Sequence, residues 1–164
     1  MRNKKSRGLL DNQFRLDNIS KLIDPLEKLN RYIKWEDFRS IIDQAFRETE
    51  PSPGGRPPFD RVMMFKVLVL QKMYNLSDDK TEYQILNRFS FSRFLCIELC
   101  DEVPDAKTIW HFRKQLKNHS IFDGLFEFLH EKIEEAQLSL NESSLVDPHI
   151  IECPIMLKFI FFSN

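Results

Sequence analysis

The chain has 164 residues, of which 42% are hydrophobic and 30% are charged, and it contains 15 Phe but only 4 Gly. So many large apolar residues exclude a disordered chain, and the scarcity of Gly argues against a turn-rich all-β fold and a glycine-rich phosphate loop. The net charge of −1 is unevenly distributed, with +3 over residues 54–118 and −7 over residues 119–152. This asymmetry indicates a nucleic-acid surface on one part of the chain only.

Two or three helices are predicted within residues 17–48, because apolar residues recur there at helical spacing. These residues are Ile19, Leu22, Ile23, Leu26, Leu29 and Ile33, followed by Trp35, Phe38, Ile41, Ile42 and Phe46. The next segment, 50–59, holds four of the eight Pro and two of the four Gly. This composition predicts a loop.

A helix is predicted over residues 60–74, with Asp60 as its N-cap. Its apolar residues cover most of its circumference, which is typical of a helix buried in the centre of a domain. At about 14 residues it is too short to cross a bilayer, which takes roughly 20.

Shorter helices are predicted over 77–89 and 90–99, and then a turn over 103–108 in which Asp105 or Thr108 caps the next helix. Two amphipathic helices follow, over 106–117 and 121–137. The residues expected inward are Phe91, Phe94 and Leu95, then Ile109, Phe112 and Leu116, then Phe122, Leu125, Phe126, Leu129, Ile133 and Ala136.

The helix 106–117 carries the strongest functional pattern. Opposite its predicted buried face it presents basic residues and one aromatic residue, namely Lys107, Trp110, Arg113, Lys114 and Lys117. Lys and Arg neutralise phosphates, and Arg also reads a guanine edge. The face is therefore a candidate surface for double-stranded DNA, on the second helix of a helix-turn-helix-like pair. An ordinary solvated basic face is the alternative.

Metal ligands show no recognisable spacing. Cys96 and Cys100 are one helical turn apart without a second pair, and a zinc site needs about four ligands. We expect small buried thiols and surface histidines. Asp147 and Glu152 lie at a predicted short strand, 145–151, and carboxylates of this kind gather around Mg²⁺ in phosphoryl transfer. One or two carboxylates do not hold a two-metal site, so an exposed edge residue is the simpler interpretation.

Several segments in this order resemble the DDE-type insertion-sequence transposases of the insertion-sequence-five (InsH-like) group. The similar segments are GRPPF (55–59), VMMFKVLVLQKMYNLSD (62–78), RFSFSRFLCIEL (88–99), VPDAKTIWHFRKQL (103–116) and LVDPHIIECP (145–154). Their order and spacing match over roughly residues 15–154. The sequence has SSLVD where the family usually has Gly or Thr before the Val-Asp pair.

The resemblance implies that residues 1–137 form a helical N-terminal domain that binds element-end DNA. Residues 138–164 would be the start of an RNase H-like catalytic domain, with Asp147 as the first aspartate of the DDE triad and a Mg²⁺ ligand in an intact homologue. After this strand the sequence turns to IMLKFIFFSN and ends. We therefore expect a truncated chain without the second Asp and the Glu of the triad, with no cofactor of its own and no strand-transfer activity.

The sequence thus predicts an all-α helical bundle with a helix-turn-helix-like pair and a remnant strand. The expected function is that of a cytoplasmic transposase fragment in DNA transposition and recombination, catalytically incomplete and not bound to a membrane. Its expected partners are double-stranded DNA and an intact transposase or a second copy. Two alternatives remain, a helical protein-interaction module that uses 121–137 and the tail, and a non-functional remnant of a decayed transposase.

Overall fold

Seven α-helices and one short 3-10 helix form in residues 24–46, 57–98 and 100–142, the part of the chain that the computed structural model describes. The α-helices are α1 Pro25–Tyr32, α2 Arg39–Gln44, α3 Arg61–Met73, α4 Asp78–Asn87, α5 Phe89–Leu95, α6 Ala106–Asn118 and α7 Phe122–Glu142, and the 3-10 helix Trp35–Phe38 precedes α2. No strand occurs in these ranges, so the prediction of an all-α body is confirmed for them. The predicted strand 145–151 lies outside the described residues.

Side-chain caps determine where four of the helices begin. Each cap oxygen accepts a hydrogen bond from a first-turn N–H that the helix itself leaves without a partner. The capping contacts are Asp24 to Leu26 N at 3.0 Å, Asp60 to Met63 N at 2.9 Å, Ser77 to Lys80 N at 3.4 Å and Asp105 to Thr108 N at 2.7 Å. The predicted starts at Asp60 and Ser77 are confirmed, and Asp105 rather than Thr108 caps α6.

Two helix ends differ from the prediction. The helix predicted over 90–99 ends at Leu95, because Cys96 takes a left-handed conformation with φ 59° and the N–H of Ile97 bonds to the carbonyl of Ser92 at 2.9 Å. This is the usual way for a chain to leave a helix. Conversely, α7 continues past Gln137 to Glu142, since the intervening residues contain no Gly or Pro to stop it. The predicted domain division at 137 therefore falls within a helix.

The central helix is α3, as its apolar circumference predicts. It packs against α2, α4, α5 and α6. The ring of Phe65 lies 5.1 Å from that of Phe38 and 5.5 Å from that of Phe126, so α3 joins the 3-10 helix to α7. Aromatic pairs of this kind contribute about 0.5–1.5 kcal/mol beyond their buried area.

The inward faces of the last three helices are largely as predicted. Phe91, Phe94, Leu95, Ile109, Phe112, Leu116, Leu125, Phe126, Leu129 and Ile133 are all buried, while Phe122 and Ala136 are only partly buried. None of the helices in the ranges above combines the length and the apolar character that crossing a bilayer requires.

One charged residue in the core has no counterpart among the sequence predictions. Lys66 of α3 is buried, and its Nζ donates a hydrogen bond to the carbonyl oxygen of Phe94 at 2.7 Å. The same carbonyl accepts a bond from Nδ2 of Asn30 at 2.9 Å. Phe94 lies in the last turn of α5, where carbonyls have no partner within the helix. Because a charge is costly to bury, burial lowers the pKa of the Lys66 ammonium. Its hydrogen bond connects α3 to the end of α5.

Candidate nucleic-acid interface

The candidate surface lies on α6, which the core holds from one side. Ile109, Phe112 and Leu116 are buried, and α6 packs against α3, α4 and α7. The ring of Phe112 stacks on that of Phe46 at 5.4 Å, with 16° between the planes. Contacts on three sides leave one face of α6 open to solvent.

Three lysines occupy that open face. Lys107, Lys114 and Lys117 are exposed, and none of them forms an ion pair with a residue in the described ranges. Trp110 lies among them with 42% of its surface exposed, and Nζ of Lys114 is 4.7 Å from its ring centroid. Nζ of Lys117 lies 5.1 Å from the ring of Phe122. Four of the five predicted residues therefore meet the exposure on which the DNA prediction depends.

Arg113 is the exception, because its guanidinium turns toward α4. Its Nη1 and Nη2 donate to the two carboxylate oxygens of Asp78, each at 2.7 Å, and Nη1 also donates to Oε1 of Gln71 at 2.8 Å. Nε2 of Gln71 donates to Asp78 in turn at 2.6 Å. Arg113 therefore differs from the sequence prediction, which placed it on the exposed face with the three lysines. Its spacing of four residues from the buried Ile109 was the sequence signal for an inward position.

The Arg113 guanidinium also stabilises the charged form of Asp78. Its hydrogen bonds lower the pKa of the Asp78 carboxyl, against the opposing effect of partial burial. Asp78 is the first residue of α4, where the helix dipole further favours a negative charge. The positive charge of Arg113 is thus matched within the fold and is not presented to an external ligand.

A second contact fixes the beginning of α6 against the same helix. The N–H of Ala106 donates to Oε2 of Glu82 at 2.8 Å. The later residue of α6, Arg113, pairs with the earlier residue of α4, Asp78, and the earlier residue, Ala106, pairs with the later one, Glu82. The two helices therefore run antiparallel. These two connections, near the start and past the middle of α6, hold its orientation and hence the direction of the three lysines.

The helix-turn-helix-like pair is not confirmed. Residues 96–105 separate α5 from α6, whereas that motif joins its helices by a turn of about three or four residues. The main polar partner of α6 is α4, which does not directly precede it in the chain.

The remaining site predictions concern metal ligands. Asp147, with its predicted catalytic and Mg²⁺-binding role, lies outside the described residues and stays a prediction. Within the described ranges no group of three or more His, Cys, Asp or Glu could hold a metal ion. Cys96 and Cys100 are exposed and not buried as expected, because α5 ends before them. His111 and His119 are exposed, as predicted.

The chain is similar to a known protein family. The family described as Transposase domain (DUF772) matches residues 12–115, which is more than half of the chain. The matched range takes in α1 to α5 and most of α6. No solved structure matches the chain.

Proposed function

Because the chain belongs to the Transposase domain (DUF772) family, we propose that it is a transposase fragment that binds duplex DNA at element ends through the exposed face of α6. Within transposases, we assign it to the insertion-sequence-five DDE group on the sequence resemblance. The observation that carries the DNA proposal is the set of three exposed lysines, Lys107, Lys114 and Lys117, which lack ion pairs among the described residues. Unpaired lysines on a rigid helix are suited to neutralising phosphates.

The open face of α6 that carries Lys107, Lys114 and Lys117, here called the lysine face, is long enough to span the major groove of a DNA duplex. Lys107 and Lys117 are ten positions apart, which corresponds to about 15 Å along a helix at roughly 1.5 Å per residue. The major groove of B-DNA is about 12 Å wide, so lysines at the two ends of this face can reach phosphates on both sides of it. Such contacts position a protein on DNA without reading the sequence.

The charge of α7 favours one approach of the DNA. Asp123, Glu127, Glu131 and Glu134 are exposed and lie along one side of this helix, at spacings of three and four residues. We call these four residues the acidic ridge. A polyanion is repelled there and attracted to the lysines of α6, so the DNA approaches from the α6 side.

The test is a triple substitution, Lys107→Glu, Lys114→Glu and Lys117→Glu, which leaves Arg113 in place. Fluorescence anisotropy on blunt duplex DNA at several salt concentrations measures the affinity. Each lost phosphate contact lowers the salt slope by about 0.9, so the triple variant should lose between two and three units.

A matched control changes the charge equally elsewhere. Arg31, Lys34 and Lys80 are exposed and belong to other elements, namely α1, the following connection and α4. Their replacement by Glu should leave the salt slope almost unchanged. If both triple variants weaken binding alike while far-UV circular dichroism shows intact helices, only net charge matters and the α6 surface is not the interface.

A second candidate function is a helical protein-interaction module. Tyr83 and Leu86 of α4 are 62% and 66% exposed, an apolar pair one helical turn apart. Such a pair is small for a docking surface, since patches with that role usually exceed a few hundred Å². Sedimentation velocity over a range of concentrations distinguishes the two functions. Self-association that Tyr83→Ser with Leu86→Ser abolishes, together with no DNA binding, would favour the interaction module.

A further inference from the structure

Trp110 is the one large aromatic side chain within the lysine face. It is 42% exposed, whereas Trp35, the other tryptophan of the chain, is 8% exposed and packs in the core. Lys107 lies three residues before Trp110 and Lys114 four residues after it, so a lysine flanks the indole on each side along the helix. Water-exposed indole costs free energy that burial would recover.

The indole of Trp110 is in contact with one cationic and one aromatic side chain of the same helix. Nζ of Lys114 lies 4.7 Å from the ring centroid, and the His111 ring lies 4.8 Å away at an interplanar angle of 77°. A cation over an aromatic face is attracted by the ring and restrains both groups. The same combination of flat rings and adjacent positive charge binds single-stranded nucleic acid, in which bases stack on the ring and phosphates meet the cation.

We propose that Trp110 stacks on an unpaired base, and that the preferred ligand of the α6 face is DNA in which a duplex adjoins unpaired nucleotides. This inference rests on the proposed function and adds the class of DNA structure. Within a duplex each internal base pair is covered on both faces by its neighbours, and only the terminal pairs have an uncovered face, so an indole ring gains little along the duplex. A base outside the duplex offers a free face on which an aromatic side chain can stack.

The charge of the surroundings favours a nucleic acid over an apolar protein partner. Three lysines without ion pairs in the described ranges surround the indole, and an apolar protein surface would have to desolvate them. A strand of nucleotides supplies both the ring and the phosphates. The lysines thus hold the duplex and the indole accepts the free base.

The experiment measures an affinity ratio on the full chain. Fluorescence anisotropy gives Kd for a blunt duplex and for the same duplex with a short single-stranded extension. For the wild type we expect the extended probe to bind about tenfold more tightly, which is the effect of stacking one base. A factor of ten in Kd corresponds to roughly 1.4 kcal/mol. Trp110→Phe should keep most of this ratio. Trp110→Leu, which is apolar but has no ring, should bring it close to one.

Fluorescence supplies an independent readout. The chain has two tryptophans and Trp35 is buried, so quenching of the tryptophan signal by the extended probe reports stacking on Trp110. Trp110→Phe should remove this quenching while it retains the affinity ratio. Tyr32→Leu removes an exposed ring on α1, away from α6, and should change neither readout.

The outcomes separate this inference from the proposed function. If the wild type binds blunt and extended probes equally, with a salt slope that depends on the α6 lysines, the stacking inference is overturned and the duplex-binding function stands. The same holds if Trp110→Leu keeps the wild-type ratio. If neither probe binds, the proposed function and this inference are both overturned.

Discussion

Replacing Arg113 with Met removes three hydrogen bonds between α6 and its neighbours while it retains most of the apolar stem of the side chain. Breaking a fully buried ion pair costs about 3–5 kcal/mol, and losing a surface pair costs about 0–1 kcal/mol. The Arg113 and Asp78 side chains are 25% and 20% exposed, which places this pair between the two limits. We therefore expect Arg113→Met to lower the free energy of unfolding by about 2 kcal/mol.

The assay is urea denaturation at pH 7, followed by far-UV circular dichroism, on the wild type, Arg113→Met, Asp78→Asn and the double variant. Residues in one hydrogen-bonded network couple, and we expect an interaction energy of about 1–2 kcal/mol. Arg31→Met is the control, since Arg31 is 68% exposed and its Nη2 lies 3.7 Å from Glu27. It should cost less than about 0.5 kcal/mol. If Arg113→Met costs no more than Arg31→Met, the network does not hold α6 in place and the reasoning fails.

Two further predictions concern pH. Because the Arg113 guanidinium lowers the pKa of Asp78, the stability from this pair is complete above the usual Asp pKa of about 3.9 and is lost as the pH falls through the lower folded value. The stability difference between the wild type and Asp78→Asn in urea should therefore shrink below about pH 4, and a constant difference would contradict the assignment. Burial lowers the pKa of Lys66 in the folded chain. Between this lowered pKa and the usual pKa of about 10.4, the unfolded chain binds more protons than the folded chain, so stability rises with pH. Thermal melts from pH 7 to 10 should show the wild type gaining stability relative to Lys66→Met, and parallel curves would rule this out.

The elements of the fold that depend on local sequence could be predicted, and those that depend on which helices meet could not. The 3.6-residue spacing of Ile109, Phe112 and Leu116 and the cap at Asp105 determine α6 with no knowledge of its neighbours. The role of Arg113 depends on α4 lying alongside α6 antiparallel, and the sequence contains no direct sign of that arrangement. The same is true of Lys66, whose acceptor is a backbone carbonyl 28 positions away.

The candidate site was predicted in part for the same reason. Helical spacing alone places Lys107, Trp110 and Lys114 opposite the buried face, and all three are exposed. Arg113 lies at the edge of that face, where the choice between solvent and a neighbouring helix is made by the tertiary partner. The end of α5 could not be predicted either, because Cys96 has a left-handed backbone conformation that non-glycine residues adopt only uncommonly.

The central position of α3 has a consequence for how the domain opens. Its amides can exchange with solvent only when the helices packed around it, α2, α4, α5 and α6, have separated from it. Such amides exchange through global unfolding, while helices at the periphery can also open by local fluctuation. Hydrogen exchange at α3 therefore reports the stability of the whole bundle. A DNA probe bound at α6 should therefore slow exchange in α3 by a factor of about 1 plus the ratio of the free DNA concentration to Kd, because it binds only the folded bundle.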